Sequence, residues 1–242
     1  MLSYTNDYLL DKQIKILQPT NGYRASSDAV ILSSAIEKVK SKEKILDIGS
    51  GTGAISLCLA HRFPNIAITG IEIQPELAEL SSMSAKANNF INLQFINCDF
   101  KKLDTSYFGQ YDHVITNPPY ATNDMPSPNK SKSTAHNLDS ITLFQWLQLS
   151  LKCLRPKGKI YIINRAEAIE EILSSLFGHC GNITIVPLCS KIGQNAKRVI
   201  VCAQKGINTP SRILPPVIIH KKDGTYTPKA QKILRKGLPL FS

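Results

Sequence analysis

The fold is decided by Lys44-Ile45-Leu46-Asp47-Ile48-Gly49-Ser50-Gly51-Thr52-Gly53, a mostly apolar run followed by a glycine-rich loop. The first five residues are typical of a buried strand, and residues 54–62 behind the loop are predicted to form a helix. A glycine loop at the carboxyl end of a strand lets a ligand approach the backbone closely at the mouth of the sheet. The stretch therefore predicts a ligand site at one edge of an α/β sheet.

Strands and helices alternate on both sides of this stretch. Further strands are predicted at 68–72, 93–96, 111–116, 159–163, 183–188 and 198–203, and helices at 27–40, 75–88, 138–154 and 166–177. The alternation predicts a doubly wound, Rossmann-like, seven-stranded α/β sheet that is mostly parallel. The last two strands are expected to pair antiparallel, because only about nine residues separate them and a helical crossover needs more.

Three regions of the chain are expected. Residues 1–43 form an N-terminal segment, extended over 9–19, and a helix whose N-cap is Ser27 or Asp28. Residues 44–203 hold the main domain, and residues 204–242 form a basic extension. Residues 121–137 are polar, contain prolines and lack periodicity, so they are predicted to be a mobile loop.

Three acidic residues are predicted at the ends of three successive strands: Asp47, Glu72 and Asp99. Because parallel strands end at the same edge of a sheet, these carboxylates should surround the glycine loop. The loop also satisfies a loose dinucleotide fingerprint, but an acid at position 47 repels a pyrophosphate and pairs with an ammonium group. Glu72 suits the two hydroxyls of a ribose and Asp99 an adenine amine. S-adenosylmethionine therefore fits the pattern better than NAD.

A second motif, Asn117-Pro118-Pro119-Tyr120, follows the predicted strand 111–116. The two prolines stop the strand and keep the backbone extended and stiff. The amide oxygen of Asn117 and the carbonyl of Pro118 accept hydrogen bonds, and Tyr120 offers a ring for stacking. The motif predicts a rigid holder for a flat group that bears an NH2.

The net charge of +11 is unevenly distributed along the chain. Residues 203–242 carry eight basic side chains and one acid, which accounts for +7 of that total. A charge this concentrated indicates a polyanionic partner, most commonly a nucleic acid, although a solvated basic surface gives the same pattern. We expect Lys221, Lys222, Lys229, Lys232, Arg235 and Lys236 to contact the phosphates of this partner, away from the site predicted at the strand ends.

Composition excludes several other classes of protein. No run of about 18 apolar residues occurs, so no membrane span is predicted, and the first 18 residues lack the order of a secretory signal. The six cysteines are scattered, and neither a Cys-x-x-Cys pair nor a zinc-type spacing is present. We expect free, mostly buried thiols, no metal site and a cytoplasmic location.

These motifs resemble those of a known family. Residues 47–53, Glu72, Asp99 and 117–120 are similar to the motifs of class I S-adenosylmethionine-dependent methyltransferases that modify exocyclic amines. The segments 18–29, QPTNGYRASSDA, and 220–228, HKKDGTYTP, resemble segments of bacterial tRNA adenine-N6 methyltransferases, which modify the adenine beside the anticodon of a valine tRNA. The resemblance covers nearly the whole chain.

The resemblance implies direct methyl transfer from S-adenosylmethionine to an adenine of tRNA. The catalytic residues implied are Asn117, Pro118 and Tyr120. Cofactor contacts are implied at Arg24, Asp28, Asp47, Gly49, Gly51, Gly53, Glu72, Ile73, Asp99, Phe100 and Asn117. In the 121–137 loop, Lys130 and Lys132 are placed to meet the nucleotides that flank the adenine. A disordered linker is the competing interpretation of this loop.

Two other functions stay open at this point. A protein glutamine N-methyltransferase acting on a translation factor would use Asn-Pro-Pro-Tyr for a side-chain amide of similar shape. Such enzymes usually carry an extra N-terminal helical domain, whereas about 43 residues precede the first predicted sheet strand here. A non-catalytic RNA-binding module is the third possibility, and the intact Asn117 and glycine loop argue against it.

Overall fold

The computed structural model describes residues 3–119 and 141–241, and its centre is a nine-stranded sheet. The sheet order is β10-β8-β9-β7-β6-β3-β4-β5, and β11 also pairs with β8. The strands are β3 (Lys44–Ile48), β4 (Ala67–Glu72), β5 (Leu93–Asn97), β6 (Tyr111–Thr116), β7 (Leu154–Arg165), β8 (Cys180–Cys189), β9 (Ala196–Lys205), β10 (Arg212–Ile213) and β11 (Val217–Ile218). All seven predicted strands are present, and the two short strands come from the C-terminal extension.

Strand directions define two edges of the sheet. The strands β3 to β7 run parallel, and β9 lies antiparallel between β7 and β8, so β8 points the same way as β7. The predicted antiparallel pair is therefore confirmed. We call the edge at which β3, β4, β5, β6, β7 and β8 end the carboxyl edge, and the opposite one the amino edge. Binding sites of doubly wound sheets lie at the carboxyl edge.

Helices cover both faces of the sheet and bury one apolar cluster on each. They are α1 (Ser27–Ser33), α2 (Ala54–Arg62), α3 (Pro75–Ala87), α4 (Leu143–Cys153), α5 (Ile169–Leu176) and α6 (Pro228–Lys236). One cluster contains buried side chains of α1, α2, α3 and α6, and the other those of α4 and α5. Among the described residues, no helix is long and apolar enough to span a membrane, and all six cysteines are free.

The first helix is shorter than the predicted 27–40, and its N-cap is Ser26 instead of Ser27 or Asp28. After Ser33 the backbone turns, with the N–H of Ile36 donating to the Ser33 carbonyl. The Arg62 guanidinium donates to the same Ser33 carbonyl at 2.5 Å and to the Ile36 carbonyl at 2.7 Å. These carbonyls are satisfied by a side chain, so the helix ends without a glycine or a proline to mark the position.

The N-terminal segment forms a hairpin that the sequence did not predict. Its strands, β1 (Tyr4–Leu9) and β2 (Ile14–Pro19), pair with each other and are separate from the main sheet. The edge of β2 is satisfied by α3, because the Lys15 N–H donates to Asn88 Oδ1 and the Leu17 N–H to Ser84 Oγ, both at 2.9 Å. Side chains of a helix thus replace a neighbouring strand.

The C-terminal extension returns along the face that α1 and α2 cover. The helix α6 has Thr227 as its N-cap, and its C-cap Gly237 has φ +63°. The Gly237 carbonyl accepts from Arg62 at 3.3 Å, and the Leu240 N–H donates to the Ser34 carbonyl at 2.9 Å. The end of the chain is therefore fixed to α1 and α2, and it contributes the buried Ile233 and Leu240 to the core.

Replacing Arg62 by alanine should lower the free energy of unfolding by about 3 kcal/mol. Three backbone carbonyls would lose a charged donor, and a hydrogen bond to a charged group contributes about 1.5–3 kcal/mol. Urea unfolding measures the change, and limited proteolysis should show earlier cleavage beyond residue 236. Lys232→Ala, an exposed change on α6, is the control and should stay within about 0.5 kcal/mol of the parent. Equal stability of both variants would contradict the proposed anchoring.

Candidate cofactor and methyl-transfer site

The glycine loop after β3 is packed too closely for side chains. The φ angles of Gly51 and Gly53 are +57° and +82°, which disfavour other residues. A Cβ on Gly51 would lie 2.6 Å from a ring carbon of Tyr23, and one on Gly53 would lie 2.6 Å from the ring of Phe95. Gly53 also begins α2. The loop therefore places bare backbone at the carboxyl edge, between an aromatic ring and the start of a helix.

Asp47 lies beneath this loop, fully buried near the end of β3. Its Oδ2 accepts from the Ser56 hydroxyl at 2.7 Å, whereas its buried Oδ1 has no hydrogen-bond partner within the described chain. Burial raises the pKa of Asp47 to about 7, and the nearby Glu72 carboxylate acts in the same direction. An acid in this state attracts a cationic or hydrogen-donating ligand.

Glu72 ends β4 and is 6% exposed. One carboxylate oxygen accepts from the Gly51 N–H and the other from the Gln74 N–H, each at 2.8 Å. Burial raises the pKa of Glu72, although these backbone donors oppose the shift. Each oxygen retains a second lone pair, so the carboxylate still has acceptor capacity for two hydroxyl groups.

Asp99 follows β5, and its Oδ1 accepts from the Lys101 N–H at 3.0 Å. The ring of the next residue, Phe100, is buried and lies 5.1 Å from the Trp146 ring, centroid to centroid. Ile73, the residue after Glu72, is 52% exposed. The strand order places these three residues at the carboxyl edge with Asp47 and Glu72. Ile73 and Phe100 are thus one exposed and one buried apolar side chain beside the strand-end acids.

Asn117 and Pro118 follow β6, at the centre of the same edge. The Asn117 Oδ1 is buried and has no hydrogen-bond partner in residues 3–119 and 141–241. Pro118 is buried as well, whereas Tyr120 lies outside the described residues. An unpartnered amide oxygen at a ligand edge is the feature expected of a group that awaits a donor.

A hydrogen-bonded chain fixes the end of β6. The Trp146 Nε1 donates to Thr116 Oγ1 at 2.9 Å, and that hydroxyl donates to the Ile48 carbonyl at 2.8 Å. The Trp146 ring also lies close to Gly49, where a Cβ would be 3.1 Å away. Trp146 therefore joins the glycine loop, Thr116 and Phe100.

Two residues near the glycine loop were missed as site residues. Trp146 lies in the predicted helix 138–154 and Tyr23 in the segment 18–29, but neither was predicted to be part of the site. For Trp146 the available signal was weak, because the residue is only notable as the single tryptophan of the sequence. For Tyr23 the signal was its place in the segment 18–29. Its ring is 36% exposed and covers Gly51.

Arg24 and Asp28, which were predicted to contact the cofactor, each form an ion pair within the protein. Arg24 pairs with Asp7 at 2.7 Å and donates to the Pro19 carbonyl at 2.9 Å. Asp28 accepts from the Arg198 guanidinium at 3.0 Å. These contacts fix residues 20–28 between the N-terminal hairpin and β9, and they hold Tyr23 over Gly51. Direct cofactor contact by Arg24 and Asp28 stays a prediction.

The residues predicted to contact nucleic acid fall into separate places. Lys130 and Lys132, with the whole 121–137 loop, lie outside the described residues. Lys221 and Lys222 are exposed in a hairpin that continues from β11. This hairpin lies at the carboxyl edge, so the expectation that these two lysines lie away from the site is wrong: they are at the same edge as Asn117. The exposed α6 residues are Lys229, Lys232, Arg235 and Lys236. The helix starts at the carboxyl edge and ends beside Arg62 near the amino edge.

The fold and this edge are those of a class I methyltransferase, and a family model described as a methyltransferase domain matches residues 39–200. A crystal structure described as a predicted O-methyltransferase from Agrobacterium tumefaciens is similar in fold. Its TM-score is 0.72 at 22% identity, with 88% of this chain and 97% of that chain covered. Among the described residues, no group of three or more His, Cys, Asp or Glu side chains could hold a metal ion.

Curated relatives narrow the class to a family. A tRNA1(Val) (adenine(37)-N6)-methyltransferase from Actinobacillus pleuropneumoniae serotype 7 is 30% identical over 236 residues, 95% of each chain. A protein of the same name from Pedobacter heparinus is 30% identical over 194 residues, which cover 79% of this chain and 81% of the relative. The chain belongs to the family of tRNA1(Val) (adenine(37)-N6)-methyltransferases.

The stability of the protein without ligand should fall as the pH rises from about 4 to about 7. The folded-state pKa of Asp47 lies near 7 and that of an unfolded aspartate near 3.9, so the folded state holds an extra proton in this window. Above pH 7 the fall should level off, after a loss of roughly 3–5 kcal/mol. Urea unfolding between pH 4.5 and 8 measures this slope.

Asp47→Asn should remove most of the slope, and the part due to Glu72 should remain. Asp104→Asn, which changes an exposed acid after β5, is the control for the loss of one carboxylate. If the parent and the Asp47→Asn variant share the same pH profile, Asp47 does not titrate in this range.

Proposed function

We propose that the chain transfers a methyl group from S-adenosylmethionine to the exocyclic amine of an adenine in tRNA. The observation that carries this proposal is the buried, unpartnered Asn117 Oδ1 at the centre of the edge that also holds the glycine loop and three acids. The curated relatives named above support the choice of tRNA and of the adenine N6.

The residues at the carboxyl edge fit S-adenosylmethionine. The free Asp47 Oδ1 suits an ammonium group, the spare lone pairs of Glu72 suit ribose hydroxyls, and Asp99 suits an adenine amine. Gly51 and Gly53 have no side chain because the rings of Tyr23 and Phe95 occupy that space, and their positive φ angles let the loop turn at the carboxyl edge. A pyrophosphate would meet the buried Asp47 carboxyl near the helix N-terminus at Gly53, so NAD fits poorly. When bound, the cofactor supplies a methyl group already activated by a sulfonium.

The protein's own task is to position a weak nucleophile. The Asn117 Oδ1 accepts one N–H of the target amine, and the Pro118 carbonyl accepts the other. These two acceptors orient the nitrogen lone pair and stabilise the positive charge that develops on this nitrogen. Thr116 is held by Trp146 and Ile48 and so fixes the start of the next residue, Asn117, and the prolines that follow limit backbone motion. Acceptors that are pre-oriented in this way need little rearrangement during the reaction.

A protein side-chain amide could also donate to Asn117 Oδ1, so this contact does not distinguish RNA from protein substrates. The surface around the site has to make that distinction. The C-terminal extension exposes basic side chains on its hairpin and along α6, which suits a polyanion and not a peptide loop. The Pro118 and Asn117 acceptors are intact, which disfavours a module that only binds RNA.

Two substitutions should separate chemistry from cofactor binding. Asn117→Ala should reduce turnover about 10²-fold or more, as loss of a charge-stabilising group does, and leave the affinity for S-adenosylmethionine nearly unchanged. Glu72→Ala should weaken cofactor binding, because it removes the buried acceptor and releases the Gly51 N–H. Calorimetry measures binding, and transfer of labelled methyl to tRNA measures turnover.

The same assay with separate tRNA, rRNA, DNA and release-factor pools tests the substrate class. Label that appears only in the release-factor pool would establish the protein glutamine reaction instead. Near-normal turnover of the Asn117→Ala variant would show that Asn117 does not hold the amine. Tight NAD binding without S-adenosylmethionine binding would refute the cofactor assignment.

The basic helix α6 is proposed to hold the tRNA by its phosphates, so residues 204–242 act as an RNA-binding extension of domain 44–203. Ala230 and Ile233 face the core, which leaves Lys229, Lys232, Arg235 and Lys236 exposed. The Gly237 C-cap and the contacts of Arg62 and Ser34 keep this surface fixed on the domain. Phosphate contacts of this kind carry no sequence information.

Replacing these four α6 residues by glutamine should raise the dissociation constant for tRNA and flatten its salt dependence. Each lost phosphate contact removes about 0.9 from the log–log slope on duplex RNA or DNA, so the change should be up to about 3–4. Cofactor binding should be unchanged. The control is the same exchange at Lys44, Lys152, Lys157 and Lys159, four exposed lysines on α4 and at the amino ends of β3 and β7. An unaltered slope in the folded α6 variant would mean that the helix only packs on the domain.

A further inference from the structure

Residues 220–226, here called the basic hairpin, form a small hydrogen-bonded hairpin next to the sheet. His220 and Tyr226 make an isolated antiparallel bridge, and the Lys221 N–H donates to the Thr225 carbonyl at 2.8 Å. The Asp223 Oδ1 accepts from the Thr225 N–H at 2.9 Å and from its hydroxyl at 2.7 Å. The turn is therefore held by its own hydrogen bonds.

The register of the sheet places the basic hairpin at the carboxyl edge. The short strand β11 pairs in parallel with the last two residues of β8, and the His220 N–H donates to the Ser190 carbonyl at 2.9 Å. The Thr227 side chain behind the hairpin donates to the Ile218 carbonyl at 2.7 Å. The hairpin thus continues from β8 on the side of the sheet where β6 ends in Asn117.

Two rings form a platform on this hairpin. The His220 and Tyr226 rings lie 5.1 Å apart, centroid to centroid, at an interplanar angle of 23°. Tyr226 remains 37% exposed, so one side of the stack is covered by His220 and part of the tyrosine faces solvent. A flat aromatic surface supported from behind is the geometry on which unpaired bases stack.

Lysines surround the platform. Lys221 and Lys222 are exposed in the turn, and the Lys191 ammonium donates to the Lys222 carbonyl at 3.3 Å from the β8–β9 turn. The single acid of the hairpin, Asp223, is turned toward Thr225 by its two hydrogen bonds. The surface therefore combines a base-sized ring with cations that suit the flanking phosphates.

We infer that the basic hairpin binds the single-stranded nucleotides next to the target adenine, with Tyr226 stacking on a base and Lys221 and Lys222 on phosphates. This inference rests on the proposed function. The inference adds a second RNA-contacting surface, which binds bases, is distinct from α6 and lies on the same edge as Asn117. A paired duplex does not offer a free base face, so the hairpin selects RNA whose bases are unstacked.

Kinetics on tRNA with saturating S-adenosylmethionine test the assignment. Tyr226→Ala should raise the KM for tRNA roughly 5- to 150-fold, the range expected for one lost stacking contact, with kcat changed less. Tyr226→Phe keeps the ring and should restore most of the affinity. Phe177→Ala is the matched control, since Phe177 is 84% exposed at the amino edge just before β8.

A second variant removes the charges of the hairpin and leaves Tyr226 in place, so it tests the inference even if Tyr226→Ala does not fold. Lys221→Gln with Lys222→Gln should lower the salt slope of tRNA binding by about 1.4–1.8, and Lys157→Gln with Lys159→Gln at the amino edge should not. Calorimetry with S-adenosylmethionine should give the same affinity for all folded variants.

The outcomes separate this inference from the proposed function. Direct binding of tRNA is measured without turnover. A parent protein that binds tRNA but does not methylate it would contradict the proposed function, and its binding data would still test whether the hairpin contacts tRNA. Normal KM and normal salt slope in the folded hairpin variants, beside a parent that methylates tRNA, would overturn the inference. An equal rise of KM for Phe177→Ala would do the same, because the effect would not be local to the hairpin.

Discussion

The site depends on one hydrogen bond, from the Gly51 N–H to the buried carboxylate of Glu72 at 2.8 Å. It joins the loop after β3 to the end of β4, and the second oxygen of Glu72 binds the Gln74 N–H at the start of α3. One side chain thus fixes both connections at the carboxyl edge. A charged acceptor makes such hydrogen bonds stronger than neutral ones.

That interaction also creates electrostatic strain beside it. The carboxylate of Glu72 adds to the burial that raises the pKa of Asp47, whose Oδ1 has no partner within the described residues. Asn117 Oδ1 is a second buried acceptor in the same condition. Unpaired buried acceptors cost about 1–3 kcal/mol each, so this edge is less stable than the core around it. Under the proposed function, the cofactor donates to Asp47 and the target amine donates to Asn117, so each ligand recovers part of this free energy when it binds.

The sequence was sufficient for the features that local patterns control. The seven main strands, the mostly parallel sheet and the last antiparallel pair follow from periodicity and loop lengths, and the structure confirms them. Asp47, Glu72 and Asp99 lie at one edge because the carboxyl ends of parallel strands are all at the same edge of the sheet.

Features that depend on distant partners could not be predicted in this way. The end of α1 is set by Arg62, about 30 residues later, and the pairing of β2 is completed by Ser84 and Asn88 on α3. The role of Trp146 required knowing that its indole reaches Thr116 across 30 residues of sequence. None of these contacts leaves a periodic or spacing signal.

The two basic surfaces, the basic hairpin and the helix α6 that follows it, limit which partners fit the protein. The basic hairpin begins at the carboxyl edge, and α6 carries its cations away from that edge for about 13 Å, given 1.5 Å per helical residue. A free nucleoside at the Asn117 site is too small to contact both surfaces as well, whereas a folded RNA can contact both. Phosphate contacts along α6 would supply affinity without reading bases, and stacking at the hairpin would report whether the bases beside the target are unpaired. Selectivity would then arise from the shape of the RNA around the target adenine, with Asn117 choosing only the amine that this shape presents.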